Sequence, residues 1–337
     1  MKRTVFICLI ALFFIGCTKK SSFRNIENRI VELPPINNTG LKLEKLDIQA
    51  MGLVYGHCVD SLFLLKTREF KNSFRVFNTK TFQDYGTLFS GGEGPSEYTN
   101  LSTQGQYMTT PDSIMLWTRD NGKRKLRLTN ITRSLAEKTT VIDKEYSLKA
   151  SLYNIYAIND TFFVGDTFDG IKWSYAKFNP ATEQITPVFD FLEFKDVSFS
   201  SCNSTLKKDM SKIAYAPFFF NQIFFFSPDG DERFSVSFGI PTSLEELEKK
   251  QYQDRILYFA NIAATQEQIW ILYDGCDFTL PNENKPNSRI IIMDWDGNPL
   301  HMFDTGKKLN TIFNDSGQNT MYAIDNEENI YRLHIEQ

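Results

Sequence analysis

The sequence predicts an all-β fold in which six units of about fifty residues are arranged in a ring. In each unit a short polar phrase, clearest as Asp-Ser or Asp-Thr, opens an apolar run. The copies of this phrase begin at Asp60, Asp112, Asp160, Ser211, Glu267 and Asn319. A second phrase, an apolar run that ends in Asn, Pro, Asp or Gly, follows each of the first five copies. Four-stranded antiparallel units bury their faces only against their neighbours, so this repeat predicts a six-bladed β-propeller.

The residue types between and within these phrases justify the individual strands and turns. The apolar runs are short and rich in Phe, Ile, Val and Tyr, often in alternation with polar residues, as half-buried strands require. The second phrase is predicted to close a hairpin, because its residues supply a left-handed backbone, a preset φ or a bond to their own backbone. Its copies begin at Val76, Leu128, Lys177, Phe225 and Ile292.

The ring needs a closing strand, because the sixth unit ends at Ile335 after only three strands. Residues 41–48, with the sequence LKLEKLDI, are predicted to supply the missing outer strand and so protect two open edges. The β pattern is interrupted at Thr242–Lys250. There a Ser/Thr cap, glutamates in the first turn and later lysines predict a short helix on one face of the disc. Its charge favours a solvated decoration over a partner-docking helix.

The first residues predict export. Lys2 and Arg3 precede an apolar run that ends near Ile15, and this run is shorter than the roughly 20 residues of a bilayer-spanning helix. The stretch Ile15-Gly16-Cys17 resembles the bacterial lipobox, which implies a diacylglycerol on Cys17 and an acylated amine. An ordinary signal with a cysteine nearby by chance is the alternative. The predicted domains are a signal peptide at 1–16, the lipidated cysteine and tether at 17–40, and the propeller at 41–337.

Charge and residue counts restrict the function classes. The formal net charge of -4 argues against a nucleic-acid partner, which would need a basic face. Three histidines leave little room for a multi-histidine metal centre, and His57, His301 and His334 fall in three different units. Cys8 leaves with the signal and Cys17 is lipidated, so three cysteines remain. These allow one disulfide at most and are favoured as buried free thiols: Cys58, Cys202 and Cys276.

A glycine-rich phrase follows the first unit at residues 89–98, with the sequence FSGGEGPSEY. Together with Cys17 and the six units, it resembles the six-bladed propeller lipoproteins of Bacteroidetes, which are related in architecture to TolB-like and NHL-type propellers. In those proteins a G-x-G-P-x-E-aromatic phrase links the outer strand of one blade to the inner strand of the next. The positions that match it are Gly92, Gly94, Pro95, Glu97 and Tyr98. The resemblance implies a fold and a cellular location, but no reaction.

The resemblance also bears on the predicted location. Surface-exported lipoproteins of the Bacteroidetes resemble one another in carrying acidic residues just after the cysteine. This chain carries Lys19 and Lys20 there. We therefore expect an outer-membrane lipoprotein that faces the periplasm.

Three features are candidates for cation or phosphate chemistry. Gly91–Pro95 lacks the Lys-Ser/Thr and the helix that a phosphate loop requires, so an inter-blade turn is favoured. Asp294, Asp296 and Asn298 place oxygen ligands at alternate positions, as the start of a calcium loop does. Thr305 replaces the glutamate expected at the twelfth place, and a hairpin turn explains the same residues. Three further carboxylates are candidates to line one rim and hold a cation or sugar hydroxyls: Asp166, Asp169 and Asp274.

The expected inner strands carry amide and aromatic side chains. Asn154 and Asn261 are candidate axial residues, because propeller lactonases hold a metal on the axis with Glu, Asn and Asp. The aromatic candidates either line the channel mouth for a sugar or peptide, or pack between blades: Tyr107, Tyr153, Tyr156 and Phe259.

Because no acid/base or metal set emerges, the sequence predicts a lipid-anchored binding or scaffolding module for an unknown protein or glycan. The alternative is a calcium-dependent propeller hydrolase or lyase with its site on the central axis. A carbohydrate-sensing accessory of a glycan uptake system is a third hypothesis.

Overall fold

The computed structural model describes Lys19–Lys20 and most of the chain from residue 26 to residue 336. Within that range it leaves out residues 72, 160, 171, 192–201, 282–283, 285 and 316–318. The predicted signal peptide, Cys8, Cys17 and Asp160 lie outside the described residues.

The strands form six sheets, and the first strand of each blade is the innermost. Four strands precede the first blade: β1 Lys19–Lys20, β2 Glu27–Val31, β3 Ile36–Asn37 and β4 Leu41–Lys45. Blade 1 contains β5 Leu53–Val59, β6 Leu62–Thr67, β7 Phe74–Asn78 and β8 Asp84–Leu88. Blade 2 contains β9 Leu101–Ser102, β10 Tyr107–Thr110, β11 Ser113–Asp120, β12 Lys125–Asn130 and β13 Ile142–Ser147. Blade 3 contains β14 Leu152–Asn159, β15 Phe162–Phe168, β16 Trp173–Asn179 and β17 Gln184–Asp190.

The second half of the ring repeats the same order. Blade 4 contains β18 Cys202–Leu206, β19 Ile213–Pro217, β20 Gln222–Phe226 and β21 Arg233–Phe238. Blade 5 contains β22 Ile256–Ala264, β23 Gln268–Asp277, β24 Arg289–Asp294 and β25 Pro299–Asp304. Blade 6 contains β26 Leu309–Asp315, β27 Thr320–Asp325 and β28 Ile330–Ile335, and its outermost strand is β4. The predicted six-bladed propeller is confirmed.

The core lies between the blades. The described residues form six buried apolar clusters, and each cluster joins two adjacent blades. The middle strands β19 and β20 are buried along their whole length, whereas the outer strand β8 is largely exposed. A middle strand has a neighbouring blade on both faces, which explains why its apolar run is continuous rather than alternating. Many of the phenylalanines lie in these clusters, for example Phe224, Phe225 and Phe226 of blade 4.

The strand β4 closes the ring as the sequence predicts. It pairs antiparallel with β28, and Leu43 lies opposite Leu333. The pairing continues past the strand, because the amide of Leu46 donates to the carbonyl of Ile330 at 2.8 Å. Leu46 and Ile48 are then buried in the cluster between blades 6 and 1. The first and last strands of the ring are therefore held together in one sheet.

The segment before β4 also contacts the disc. Strand β2 pairs parallel to β21 on the outer edge of blade 4, and β3 pairs parallel to β25 on blade 5. Asn28 is fully buried there, where its amide donates to the hydroxyl of Ser237 and its oxygen accepts from Ser235. The residues expected to form an extended linker thus cover the edges of two blades, which protects them from pairing with other chains.

The described part of the chain contains two short α-helices, which lie outside the sheets. Helix α1, Ile131–Glu137, follows β12 at a point where the sequence analysis expects a tight hairpin turn, so that local prediction is wrong. Asn130 accepts a hydrogen bond from the amide of Arg133 and acts as a helix N-cap, a role that Asn fills as readily as a turn position. Helix α2, Leu244–Glu248, confirms the predicted helix, with a capping box between Ser243 and Glu246.

A 3₁₀ turn, Tyr252–Asp254, follows α2. Within the described part of the chain, none of the helices has the length and hydropathy of a bilayer-crossing segment.

Candidate functional site

The inner strands surround a central cavity of about 580 Å³, which we call the channel. Residues of β5, β10, β14, β18, β22 and β26 line it. The lining extends into the loops that follow β18 and β22, so the channel opens on the face where first and second strands connect. We call this opening the mouth, defined by Met108, Lys207, Lys208, Met210 and Gln266. The volume falls within the range of about 300–1,000 Å³ typical of small-molecule sites.

Neutral polar side chains dominate the channel wall. The amides and hydroxyls include those of Thr103, Gln104, Gln106, Asn203, Thr205, Asn261, Thr311 and Asn314. No Asp or Glu is among the described residues that line the channel. A divalent cation on the axis would therefore meet amide, hydroxyl and carbonyl oxygens, without the carboxylates that calcium sites ordinarily use.

Many of these polar side chains connect one blade to the next, in an arrangement that we call the inter-blade belt. Gln106 of the blade 2 inner segment donates to the carbonyl of Ala157 at 2.6 Å and accepts from the amide of Ala157 at 2.7 Å. The amide side chain thereby replaces a pair of backbone ladder bonds. Neighbouring blades share no backbone ladder at their inner strands, which explains why amide residues occur there. Further links join His57 to the backbone of Thr103, Tyr156 to Ser204, Asn203 to Ala260 and Asn261 to Ile312.

Some amide side chains of the belt use only one of their two polar atoms in these links. Nδ2 of Asn203 donates to the Ala260 carbonyl at 2.8 Å, and Oδ1 of Asn261 accepts from the Ile312 amide at 3.3 Å. Oδ1 of Asn203 and Nδ2 of Asn261 have no partner among the described residues. The amide of Asn314 likewise has no hydrogen bond there. These atoms are available to a molecule in the channel.

His57 is the lining residue with the most perturbed chemistry. Burial lowers its pKa to about 4, against the opposing effect of a hydrogen bond to the Thr103 backbone. Its Nε2 atom is buried and has no partner among the described residues. The adjacent Gly105 has φ +72, and a Cβ there would lie 2.5 Å from Nδ1 of His57, so this position requires glycine. The ring is neutral at pH 7, and its Nε2 is enclosed by the surrounding protein rather than presented to the channel.

From the sequence, His57 is an isolated histidine, and its place beside the channel is not predicted. His301 lies on β25 and His334 on β28, in the outer halves of blades 5 and 6. One feature of the sequence could have indicated this place. His57 lies in the run before Asp60, and the repeat assigns that run to an inner strand.

A buried polar network lies beside the channel, between blades 3 and 4. Asp166 accepts hydrogen bonds from the Tyr215 hydroxyl at 2.9 Å and from Nδ2 of Asn154 at 3.0 Å. Asn154 in turn accepts from Gln104 at 3.1 Å, which extends the network to blade 2. Burial raises the pKa of Tyr215 well above its usual value, so the hydroxyl remains a donor. The candidate axial residue Asn154 therefore holds Asp166 within a blade interface.

The predicted rim of carboxylates is not formed. Asp166 is buried between blades, and Asp274 is buried in blade 5, where it pairs with Lys308. Asp169 lies in an exposed turn of blade 3 and accepts from the backbone amide of Lys172. The sequence predicts Asp166 and Asp274 just after their strands. In the structure, Asp166 lies within β15 and Asp274 lies within β23. In the described residues, no group of three His, Cys, Asp or Glu side chains is arranged to hold a metal ion.

The calcium candidates lie in the hairpin between β24 and β25. Oδ1 of Asp294 accepts the backbone amides of Asp296 at 3.0 Å and Asn298 at 2.8 Å, and its Oδ2 accepts from the Asn298 side chain. Asp296 forms an ion pair with Lys212 at 2.8 Å. The turn's own N–H groups and Lys212 thus occupy the oxygen atoms that a cation would need.

The glycine-rich phrase lies between β8 of blade 1 and β9 of blade 2. The backbone amide of Gly94 donates to the Glu97 carboxylate at 2.7 Å, and the Cβ of a residue at Gly92 would lie 2.1 Å from that carboxylate. Tyr98 is buried, and its hydroxyl bonds to Thr118 and Thr129 at 2.8 and 2.9 Å. Pro95 is held by a hydrogen bond from Arg127 to its carbonyl at 3.1 Å. The geometry is that of a compact inter-blade connection outside the channel.

The remaining candidates divide between the channel and the core. Tyr107 and Tyr156 line the channel, whereas Phe259 is fully buried in the cluster between blades 4 and 5. Tyr153 lies under the buried guanidinium of Arg119, 5.0 Å from ring centroid to Cζ. None of the three described cysteines forms a disulfide, and Cys58 is buried as expected, whereas Cys202 and Cys276 are only half-buried.

Comparisons with known proteins place the fold. No protein-family model matches the chain, and no curated protein matches it in sequence. The crystal structure of a "Putative exported protein" from Bacteroides fragilis is similar, with a TM-score of 0.62 and 16% identity over 92% of this chain and 99% of that chain. A member of the DUF4221 family from Bacteroides vulgatus is also similar, with a TM-score of 0.59 and 11% identity over 88% and 98% of the two chains. At these identities the similarity concerns the fold alone.

Proposed function

We propose that this protein is an exported, lipid-anchored binding module that holds its ligand in the channel. The observation that carries the proposal is a cavity of about 580 Å³ whose wall presents unpartnered polar atoms from several blades. Rigid inner strands, fixed by the inter-blade belt, would keep these atoms in place before a ligand arrives. Such preorganisation reduces the entropic cost of binding.

The export and anchoring parts of the proposal rest on the lipobox-like stretch that ends at Cys17. The name of the similar Bacteroides fragilis protein, which describes export, supports the same location. The periplasmic face of the outer membrane is part of the proposal, on the basis of Lys19 and Lys20.

A binding module is favoured over the calcium-dependent hydrolase or lyase. An axial enzyme of that kind would draw its metal ligands or its acid and base from the channel wall. The described wall carries neutral amides and hydroxyls, and its one histidine is held neutral by burial. Hydrolytic turnover that is lost when Asn261 is replaced by Ala would contradict this preference.

Filling the channel tests the proposed function without knowledge of the ligand. Thr205 lies half-buried on the wall and has no side-chain hydrogen bond among the described residues, so Thr205→Trp should occupy the cavity and spare the belt. We expect small polar fragments, detected by ligand-observed NMR, to bind the parent protein and not this variant.

Gln184→Trp, on the exposed outer strand of blade 3, is the matched control and should bind as the parent does. Thermal unfolding of both variants verifies that they fold. Fragments that bind the parent and Thr205→Trp equally would show that the channel is not the site.

A further inference from the structure

We propose that the channel binds an uncharged polyhydroxylated molecule, a neutral sugar, through the amide groups of Asn203, Asn261 and Asn314. This inference rests on the proposed function and specifies the ligand class of the same site. It is carried by the unpartnered donors and acceptors on the wall, the neutrality of the wall and the apolar surfaces beside them.

The unused atoms include both acceptors and donors. Oδ1 of Asn203 is an acceptor, Nδ2 of Asn261 is a donor, and the Asn314 amide offers both. A sugar hydroxyl donates one hydrogen bond and accepts others, so a ring with several hydroxyls can satisfy such a mixed set.

The charged groups near the channel lie at its mouth. There Nζ of Lys207 lies 3.3 Å from Oδ2 of Asp209. Burial alone would raise the pKa of Asp209, but hydrogen bonds from Ser211, Gln266 and Lys207 outweigh it and hold the pKa well below its usual range. Inside the mouth, His57 is neutral and no Asp or Glu is among the described lining residues, so a charged ligand would find no opposite charge there.

Apolar surface lies next to the polar atoms. The rings of Tyr55 and His57 meet edge to face with centroids 5.3 Å apart, and Phe313 and Met108 also line the cavity. Sugar rings have a polar edge and faces of C–H groups, and aromatic side chains pack against such faces. The wall offers both kinds of contact in one cavity, as ligand sites generally do.

The experiment uses the folded, unlipidated protein and a defined panel of probes. The neutral probes are glucose, galactose, mannose, N-acetylglucosamine, maltose, lactose and cellobiose, and the charged probes are glucuronate, galacturonate and short acidic and basic peptides. We expect saturable binding of at least one neutral sugar by calorimetry or NMR at millimolar concentrations or below. The charged probes should bind more weakly than that sugar.

One substitution separates the two polar atoms of Asn261. In Asn261→Asp an oxygen still accepts from the Ile312 amide, but the donor Nδ2 is lost. We expect Asn261→Asp to weaken binding of the neutral sugar about tenfold, as the loss of one hydrogen bond does, with little change in melting temperature.

Further variants complete the test. Asn314→Ala should also weaken binding, because its amide has no other role among the described residues, and Gln184→Ala on the outer edge should not. Charged probes that bind in the channel while every neutral sugar fails would overturn the ligand class and leave the channel as the site. Failure of every probe at millimolar concentrations would likewise overturn the ligand class. Sugar binding that persists in Thr205→Trp would overturn the channel proposal as well.

Discussion

Arg127 holds the glycine-rich phrase against blade 2. Its side chain is only 3% exposed, and its guanidinium donates to the carbonyl oxygens of Glu97 at 2.9 Å and Pro95 at 3.1 Å. The same group pairs with Glu145 at 2.8 Å and lies 4.8 Å from the ring centroid of Tyr98. A planar guanidinium can make these contacts together, which a lysine ammonium cannot.

We expect Arg127→Met to lower the free energy of unfolding by about 3 kcal/mol, because several charge-assisted bonds are lost and buried carbonyls remain unpaired. Urea unfolding followed by tryptophan fluorescence measures this change. The control is Arg133→Met on helix α1, whose arginine is 55% exposed and pairs with Glu137. An exposed pair of this kind contributes about 0.5 kcal/mol. Equal losses in the two variants would contradict the role given to Arg127.

At the scale of single residues, local turns can be predicted from the sequence, but contacts with distant strands cannot. The matches at Gly94, Pro95, Glu97 and Tyr98 give the position of a connection between blades, because turn chemistry is local. The partner of that connection, Arg127, is on a different strand, and nothing in its sequence neighbourhood indicates it. The rim predicted for Asp166 and Asp274 is wrong for the same reason, since burial of a carboxylate depends on the blade that packs over it.

At the scale of elements, β4 is the strand on which the ring depends. Removal of residues 40–48 would take away the outer strand of blade 6 and the buried side chains of Leu46 and Ile48. Each fully buried Leu or Ile contributes about 1.5–3 kcal/mol, so the loss should exceed about 3 kcal/mol. The melting temperature should be clearly lower in a chain that starts at Gln49 than in one that starts at Gly40.

Adding the missing strand in trans provides the control. A synthetic peptide of residues 40–49 should raise the melting temperature of the shorter chain in a concentration-dependent way, because it binds only the folded state. A chain starting at Gln49 that is as stable as the longer one would exclude closure by β4.

The elements also divide into predictable and unpredictable ones. The strands and β4 follow from repeated periodicity, since each blade must bury the same faces. The sequence predicts a turn where helix α1 lies, because Asn130 is equally suited to a turn and to an N-cap. The parallel pairing of β2 and β3 was not expected, because these strands read as polar extended segments and their partners lie about two hundred or more residues away.

At the scale of the whole molecule, the proposed lipid anchor would determine where the channel is presented. The predicted lipid on Cys17 lies outside the described residues, and the chain after it reaches the disc at blade 4. We expect Cys17→Ala to move the protein from the membrane to the soluble fraction, because several acyl chains are lost and each buried methylene contributes about 0.8 kcal/mol. Fractionation after expression in a Gram-negative host measures this.

The matched control for the anchor is Cys276→Ala, which removes a cysteine inside blade 5 and should leave the protein with the membranes. Retention of Cys17→Ala in the membrane fraction, at a level equal to the control, would rule out the lipid anchor.

The sequence by itself determined the number of blades, the closing strand, helix α2 and the expectation of export. All of these depend on patterns between residues close in the chain or on a regular repeat. Only the tertiary structure decided that His57, Asn203, Asn261 and Asn314 line one cavity, because they come from four different blades. Their shared environment sets the neutrality of His57 and leaves polar atoms of the three asparagines unpaired, and no spacing along the chain encodes either property.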